Sequence, residues 1–417
     1  MNLFLVWGRD ELSKSFYFLW SSTSFGRLGN SIYMMTLTMI MYQITNSVTF
    51  AALVTFTHVI AKLLSSFLIP MLTDRYPLNH ILRSSLIGQS LLLLIIIYIF
   101  YFNPLSNLFL NVIVFLIIFC IGFLDGLTNP SRNSLTPKVV EKDKLSKANS
   151  LISTTDQSFA LLGWSMGGVA FSYFGSVKVL SVSLFLYILS ALLTVFISES
   201  FMGKGNKKAD WKSIKIGWQT LYTNQNLRII TLMDIIEGIA GGIWIGGISL
   251  VFVKEVLNKN EQWWGYINAS YYLGSIIGGI LIALISTWVN KNLTRGIMIG
   301  SFGVCILVLL YSLTEIPIIA LILVAIMGPF YQLRDIAQNT YFQFSVSEEL
   351  LPKVYAAQNN IYYIVFSLSV FLMGLISDLF GAQFVYLLAA ILYFLSSTLI
   401  FRKNFKQAKK TEVKISG

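Results

Sequence analysis

The feature that most constrains this chain is a basic polar stretch, Glu199–Arg228, set between two tracts of apolar sequence of similar length. It reads ESFMGKGNKKADWKSIKIGWQTLYTNQNLR, and Lys204, Lys207, Lys208, Lys212, Lys215 and Arg228 make it basic. Six apolar segments precede it: Phe16–Tyr42, Val48–Leu72, Ile81–Tyr101, Leu108–Asn129, Ser150–Phe174 and Val177–Ser198. Six follow: Ile229–Phe252, Gln262–Thr287, Thr294–Leu313, Ile316–Tyr341, Tyr355–Asp378 and Phe384–Phe401. A membrane span needs about 20 residues, so each segment is long enough to cross. Only 12% of the 417 residues are charged and 55% are hydrophobic, where a soluble domain carries about 25% charged residues. The apolar runs do not alternate with polar residues as barrel strands do. The expected fold class is therefore an all-α membrane protein, with twelve transmembrane helices in two six-helix, pseudo-symmetric bundles at 1–198 and 229–402. The linker 199–228 and a basic tail, 403–417, complete the chain. Within the linker, Trp211, Ile214, Trp218 and Leu221 share one helical face, which predicts an amphipathic helix on the cytoplasmic membrane surface.

Net charge is +11, a value that can signal a nucleic-acid partner. Its distribution points elsewhere. Of the 30 Lys and Arg, Lys178, Lys254 and Lys259 fall on the outer side and Arg27, Lys62 and Arg334 inside spans; the remaining 24 fall in the N-terminus, the even-numbered loops and the tail. That is the positive-inside pattern with both termini cytoplasmic, and it predicts anionic membrane lipid as the neighbour of the basic segments and no nucleic acid. Met1–Ser15 carries Arg9, Asp10, Glu11 and Lys14, unlike a cleavable signal. Cys120 and Cys305 lie in apolar runs of opposite halves, with neither a disulfide framework nor a metal spacing.

The two halves repeat each other. NPSRNSLTPKVVEKDKLSKANSLISTTD at the end of the fourth span is echoed by GPFYQLRDIAQNTYFQFSVSEELLPKVYAAQNN at the end of the tenth. Each has an Arg (Arg132, Arg334), then an acidic-Leu-Lys loop with a Pro, then a Gly-containing span closing in Phe-Gly (Phe174-Gly175, Phe380-Gly381).

These residues resemble the major facilitator superfamily, and within it the exporter branch for drugs, macrolides and siderophores. Three places carry the resemblance: LWSSTSFGRLGNSI in the first span, Asn129–Ser150, and Thr73-Asp74-Arg75 after the second span. The last is the remnant of a family loop in which Pro70 stands for the usual Gly, and Leu78-Asn79 for a basic pair. The resemblance implies a major facilitator fold whose first, fourth, seventh and tenth helices line a cavity. It also implies a monomeric multi-pass transporter of the bacterial plasma membrane, taking a small-molecule substrate and protons. A basic hinge between two six-helix halves suits such a carrier.

Ionisable side chains inside the spans sort the helices independently. Each costs at least about 2.5–3.5 kcal/mol at a helix centre, so each marks water, a partner or a substrate. The first span has Arg27, the second His58 and Lys62, the fourth Asp125 with Arg132 just beyond it, the fifth Asp156, the seventh Asp234 and Glu237, the tenth Arg334 and Asp335; the interiors of the third, sixth, ninth and twelfth have none. Arg27 shares a polar stripe with Trp20, Ser24 and Ser31. It is either a buried ion pair with Asp125, Asp156 or another carboxylate, or a fixed positive site able to clamp a carboxylate. His58 and Lys62 extend the positive lining, and an imidazole also changes charge near neutrality. The reading assigns substrate binding to Arg27, His58, Lys62, Tyr331, Arg334 and Gln338. It assigns proton coupling to Asp234 and Glu237, whose structural alternative is to anchor the inner end of the seventh span. It assigns gating salt bridges to Asp74, Arg75, Asp125, Arg132 and Asp335. Gly238, Gly241, Gly242, Gly246 and Gly247 in the seventh span permit close packing or a bend.

The expected activity is proton-coupled export of a small anionic or zwitterionic metabolite, such as an amino-polycarboxylate metallophore of the staphylopine type. The alternative is a broad drug or macrolide pump. With no Gly-rich nucleotide loop and no clustered ligand spacing, neither enzyme activity, cofactor nor resident metal is expected.

Overall fold

A computed structural model describes residues 12–45, 48–102, 108–198, 212–244 and 246–401. The linker residues 199–211, with Lys204, Lys207, Lys208 and Trp211, and the tail 402–417 lie outside the described residues. Among those described there is no strand, and helices occupy all twelve expected spans. Among the described residues, eight helices are long and apolar enough to cross a membrane alone, or nine if a bent pair in the seventh span counts as one. The first and fifth spans miss that standard because the stretches SSTSFGRLGNS and ANSLISTTDQS interrupt them. The second contributes only the short apolar helix Leu53–Ser66.

Several span ends differ from the expectation, each for a local reason. The second helix stops at Ser66 and resumes as Ile69–Thr73, with Pro70 in the first turn of the new helix, where its missing N–H does no harm. The polar sequence after the fourth span is not a loop: Leu108–Gly126 is followed by a helix, Thr128–Val139. The fifth helix begins earlier than expected, at Leu145, and runs to Phe174. The seventh span is helix over Gln225–Ala240, 3-10 over Gly241–Trp244 and helix again over Gly246–Glu255.

The chain forms two compact units, 1–148 with 162–209, and 149–161 with 210–417. In the first, small residues bring backbones together. Ser22 and Ser190 exchange hydrogen bonds between the first and sixth spans: Ser22 Oγ donates to the Ser190 carbonyl at 2.8 Å, and Ser190 Oγ to that of Ser22 at 2.6 Å. Gly26 and Gly29 continue the same face, against Ser190 and Leu186. Without a hydrophobic drive between helices in lipid, such small-residue seams and interhelical hydrogen bonds hold the bundle.

In the second unit the eighth and tenth spans meet at glycines, where a Cβ on Gly328 would lie 2.9 Å from Gly274 Cα. The segment 149–161 belongs to this unit, and Asn149 Nδ2 donates there to Thr340 Oγ1 at 2.9 Å and Gln343 Oε1 at 2.8 Å. The break in the seventh span frees backbone carbonyls that lipid cannot satisfy. Hydroxyls take them: Ser369 Oγ donates to the Ile239 carbonyl at 2.5 Å and Tyr386 Oη to that of Ile243 at 3.0 Å. Phe252, Tyr311 and Tyr386 pack around the break.

The amphipathic helix of the linker spans Lys212–Thr223. Its apolar face was expected on lipid, and instead packs on protein. Leu221 is buried with Leu227, Leu351 and Val354, with Ile216 and Trp218 against the same core. Gly217 lets the helix lie directly on the backbone at Lys353–Val354.

The fifth and sixth helices, and the eleventh and twelfth, are each joined by one residue. Gly175 (φ 79°) links Phe174 to Ser176, and Gly381 (φ 83°) links Phe380 to Ala382. Both lie in the left-handed region that favours glycine. Each N–H donates back into its preceding helix, to Phe171 at 3.0 Å and to Ser377 at 2.8 Å.

Candidate functional site

Among the described residues, each unit contains a buried cluster built around a charged side chain. In the first it is built on Asp125, which lies inside a Gly122-x-x-x-Gly126 step of the fourth span. A Cβ at Gly122 would sit 2.8 Å from the His58 carbonyl oxygen, and one at Gly126 2.8 Å from Lys62 Cα. The two glycines thus let the second span approach until His58 and Lys62, one turn apart, face the same carboxylate. Lys62 Nζ is 2.5 Å and His58 Nε2 3.2 Å from Asp125 Oδ2. Thr128 Oγ1 approaches Oδ1 at 3.2 Å while donating to the Asp125 backbone carbonyl at 2.7 Å. His58 is 3% exposed and Asp125 8%. Arg27 Nη2 donates to Asn129 Oδ1 at 3.4 Å. With Asp125 ionised and His58 neutral, the formal charge of Arg27, Lys62 and Asp125 is positive.

The cluster in the second unit is built on Arg334, which two carboxylates one turn apart share. Its Nη2 donates to Asp234 Oδ1 at 2.9 Å. Its Nε pairs with Glu237 Oε2 at 2.7 Å. Gln338 Nε2 spans both Asp234 oxygens, at 3.0 and 2.8 Å. Glu237 Oε1 accepts from Ser396 Oγ at 2.6 Å and, more weakly, from Ser301 Oγ at 3.4 Å. Gly300 makes room for the Arg334 stem: a Cβ there would lie 2.7 Å from Arg334 Cβ. Two carboxylates and one guanidinium give this cluster a negative formal charge.

The structure therefore brings His58 and Lys62 to Asp125, and Arg334 and Gln338 to Asp234 and Glu237. The remaining candidates lie apart from these contacts or at their edges. Asp74 and Arg75 follow the short helix Ile69–Thr73, with Arg75 exposed. Arg132 is 8% exposed, and its Nε donates to Asn133 Oδ1 at 3.4 Å. Asp335 is half-buried beside Arg334. Tyr331 is 37% exposed, edge-on to Tyr271. Sequence reasoning missed Asn129, Thr128, Ser301 and Ser396. An aspartate inside a glycine step was a usable signal for the first cluster; hydroxyls on the otherwise uncharged ninth and twelfth spans gave none. Among the described residues no group of three or more His, Cys, Asp or Glu could hold a metal ion.

Twelve helical spans with a buried charge cluster in each unit define a polytopic membrane carrier. The model of the Major Facilitator Superfamily matches residues 19–370, and the chain belongs to that family of transporters. Two uncharacterized MFS-type transporters of Bacillus subtilis (strain 168) are similar over almost their whole length. YfmI is 37% identical over 93% of this chain and 95% of its own, and YjbB 30% identical over 92% and 94%. Among solved structures, a bacterial homologue of the iron transporter ferroportin in an outward-facing state has a TM-score of 0.75 at 11% identity, covering 93% of this chain and 98% of that one. The human organic anion transporter MFSD10 (TETRAN) has a TM-score of 0.76 at 10% identity, covering 92% and 98%. At such identities the likeness is one of fold.

Proposed function

We propose that this transporter exports a small anionic or zwitterionic metabolite in exchange for protons, with an amino-polycarboxylate metallophore of the staphylopine type as the specific candidate. The observation that carries the reading is the net positive charge among the first, second and fourth spans, where half-buried Arg27 and Lys62 accompany one carboxylate, Asp125. A lipophilic-cation pump needs acidic groups in such a place, because a buried charge must be compensated by its cargo or a partner. The cluster around Arg334 supports a complementary role. Its two carboxylates outnumber its one guanidinium, so Asp234 or Glu237 can take a proton, or an amine of the cargo, without leaving Arg334 alone.

In this reading the bundles 1–198 and 229–402 alternate access to a central site. Asp74, Arg75, Arg132 and Asp335 hold one state of the cycle. The protein is a monomer in a bacterial plasma membrane with both termini cytoplasmic. The structural neighbour described as an organic anion transporter shares the fold and adds no weight to the choice of substrate.

The test is mass spectrometry of small metabolites inside and outside cells with and without the gene. The expected result is intracellular build-up and extracellular loss of one amino-polycarboxylate. An unchanged profile, with heightened sensitivity to macrolides or other toxins, would instead establish the broad drug pump.

A further inference from the structure

In the second unit two carboxylates, Asp234 and Glu237, share one guanidinium, Arg334, and a single proton would neutralise the cluster. The hydrogen bonds around the two acids differ in kind. Asp234 Oδ1 accepts from Arg334 Nη2 at 2.9 Å, and both Asp234 oxygens accept from Gln338 Nε2, at 3.0 and 2.8 Å. A guanidinium and an amide nitrogen donate and cannot accept. Turning the Gln338 amide over would set its oxygen against both Asp234 oxygens, of which only one could carry the proton. The surroundings of Asp234 suit an anion.

Glu237 differs on one side. Its Oε2 faces Arg334 Nε at 2.7 Å, but its Oε1 faces hydroxyls, Ser396 Oγ at 2.6 Å and Ser301 Oγ at 3.4 Å. A hydroxyl can accept as well as donate. A serine in a helix can also donate to the carbonyl four residues back, as the next residue, Ser397, does to Tyr393 at 2.8 Å. Ser396 can therefore turn its own proton to the Leu392 carbonyl and accept one from Glu237, with both backbones in place. The Glu237 side chain is 8% exposed against 25% for Asp234, so its charge is the costlier of the two to keep. Its other titratable neighbours are Tyr393 of the twelfth span and Cys305 of the ninth, side chains that are uncharged at neutral pH. The eleventh span meets this turn through Val365, against Gly238.

We propose that Glu237 carries the coupling proton on Oε1, that Ser396 is the positioning residue whose hydroxyl accepts it, and that Asp234 stays the fixed counter-ion of Arg334. The proposal rests on the proton-exchange reading above and chooses between the two carboxylates that reading leaves open. Protonation takes the cluster from one net negative charge to none. The new O–H is the one covalent bond made, Ser396 keeps its own proton, and the Arg334–Asp234 pair stays intact.

The test is infrared difference spectroscopy of the full-length transporter in phosphatidylcholine vesicles, between mildly alkaline and mildly acidic buffer. The protein carries an isotope label at the carboxyl carbon of its glutamates, of its aspartates, or of neither. Glu237 is the one glutamate within the twelve spans, so the parent protein answers without a substitution. The expected result is a protonated-carboxyl band that moves with labelled glutamate, ignores labelled aspartate and is lost in Glu237→Gln. Ser396→Ala is expected to displace that band, Ser396→Thr, which keeps a hydroxyl, to return it, and Ser397→Ala to leave it in place; a merely structural Ser396 would not move it. A band that follows labelled aspartate overturns this proposal and leaves proton exchange standing. No protonated carboxyl under either label overturns both. An unmoved band in a folded Ser396→Ala protein overturns the role of Ser396. The metabolite experiment reads the cargo, and its failure leaves the isotope result untouched.

Discussion

Lys62 Nζ stands 2.5 Å from Asp125 Oδ2, and His58, one helical turn earlier, reaches the same oxygen at 3.2 Å. A carboxylate held between two basic side chains inside a membrane bundle makes the fate of each depend on the other. Removing one partner of a buried pair costs about 3–5 kcal/mol, largely because the remaining charge loses its compensation. Asp125→Asn is therefore expected to lower the melting temperature of the purified transporter markedly. Adding Lys62→Met to that change is expected to recover most of the loss without restoring transport. Fluorescence-monitored melting and vesicle transport read the two effects separately, and an Asp125→Asn protein that melts like the parent would contradict the pairing.

The approach of the second and fourth spans depends on Gly122 and Gly126. A methyl group at Gly126 meets Lys62 Cα at 2.8 Å, backbone that cannot step aside. Overpacking of this kind costs about 1–3 kcal/mol, so Gly126→Ala should melt earlier and transport poorly. Gly265 has nothing within 4 Å of a built Cβ, and alanine is the better helix former by about 1 kcal/mol. Gly265→Ala should match or exceed the parent. Equal melting of the two variants would show that the glycine step does not set the spacing.

Glu237 accepts a 2.6 Å hydrogen bond from Ser396, and hydrogen bonds to charged groups contribute about 1.5–3 kcal/mol. Ser396→Ala should therefore destabilise the second unit. Ser397→Ala should be nearly silent, because that hydroxyl only returns to the Tyr393 carbonyl of its own helix. Arg334→Lys should keep the protein folded yet reduce transport tenfold or more, since an ammonium cannot serve Asp234 and Glu237 as a planar fork does. Thermal melts of the serine pair, with initial transport rates for Arg334→Lys, decide these points.

The helix Lys212–Thr223 is held to its unit by Leu221 and by the bare backbone of Gly217 against Lys353. Gly217→Leu should lift it off. The expected sign is faster limited proteolysis between 212 and 223, with the spans intact on a gel. Parent-like resistance would mean that Leu221 and its neighbours suffice.

Much of this molecule was readable from its residues. The twelve spans follow from apolar length, and the sorting of charged from uncharged helices located the residues that form both clusters. Their pairing was less accessible. Asp125 was read as a gate residue, yet its nearest contacts are His58 and Lys62, because two glycines a turn apart bring the helices close. Spacing along one helix shows which side chains share a face and says nothing of how near the next helix comes. Ser396 is hidden for a related reason: a hydroxyl on an uncharged span is common, and only burial beside a carboxylate distinguishes it. The linker helix showed its amphipathic face plainly, but periodicity does not tell a protein partner from lipid.

The one-residue joints at Gly175 and Gly381 bear on how the chain is made. Loop-closure entropy rises with loop length, so a joint of one residue adds almost none. Even a loop of about ten residues closes in roughly 10–100 ns, whereas synthesis proceeds at about 5–20 residues per second. The sixth helix can therefore reverse direction at Gly175 without waiting for a long loop to close. A truncation after Gly381 deprives the second unit of its twelfth span, and with it Ser396, the closest hydroxyl partner of Glu237.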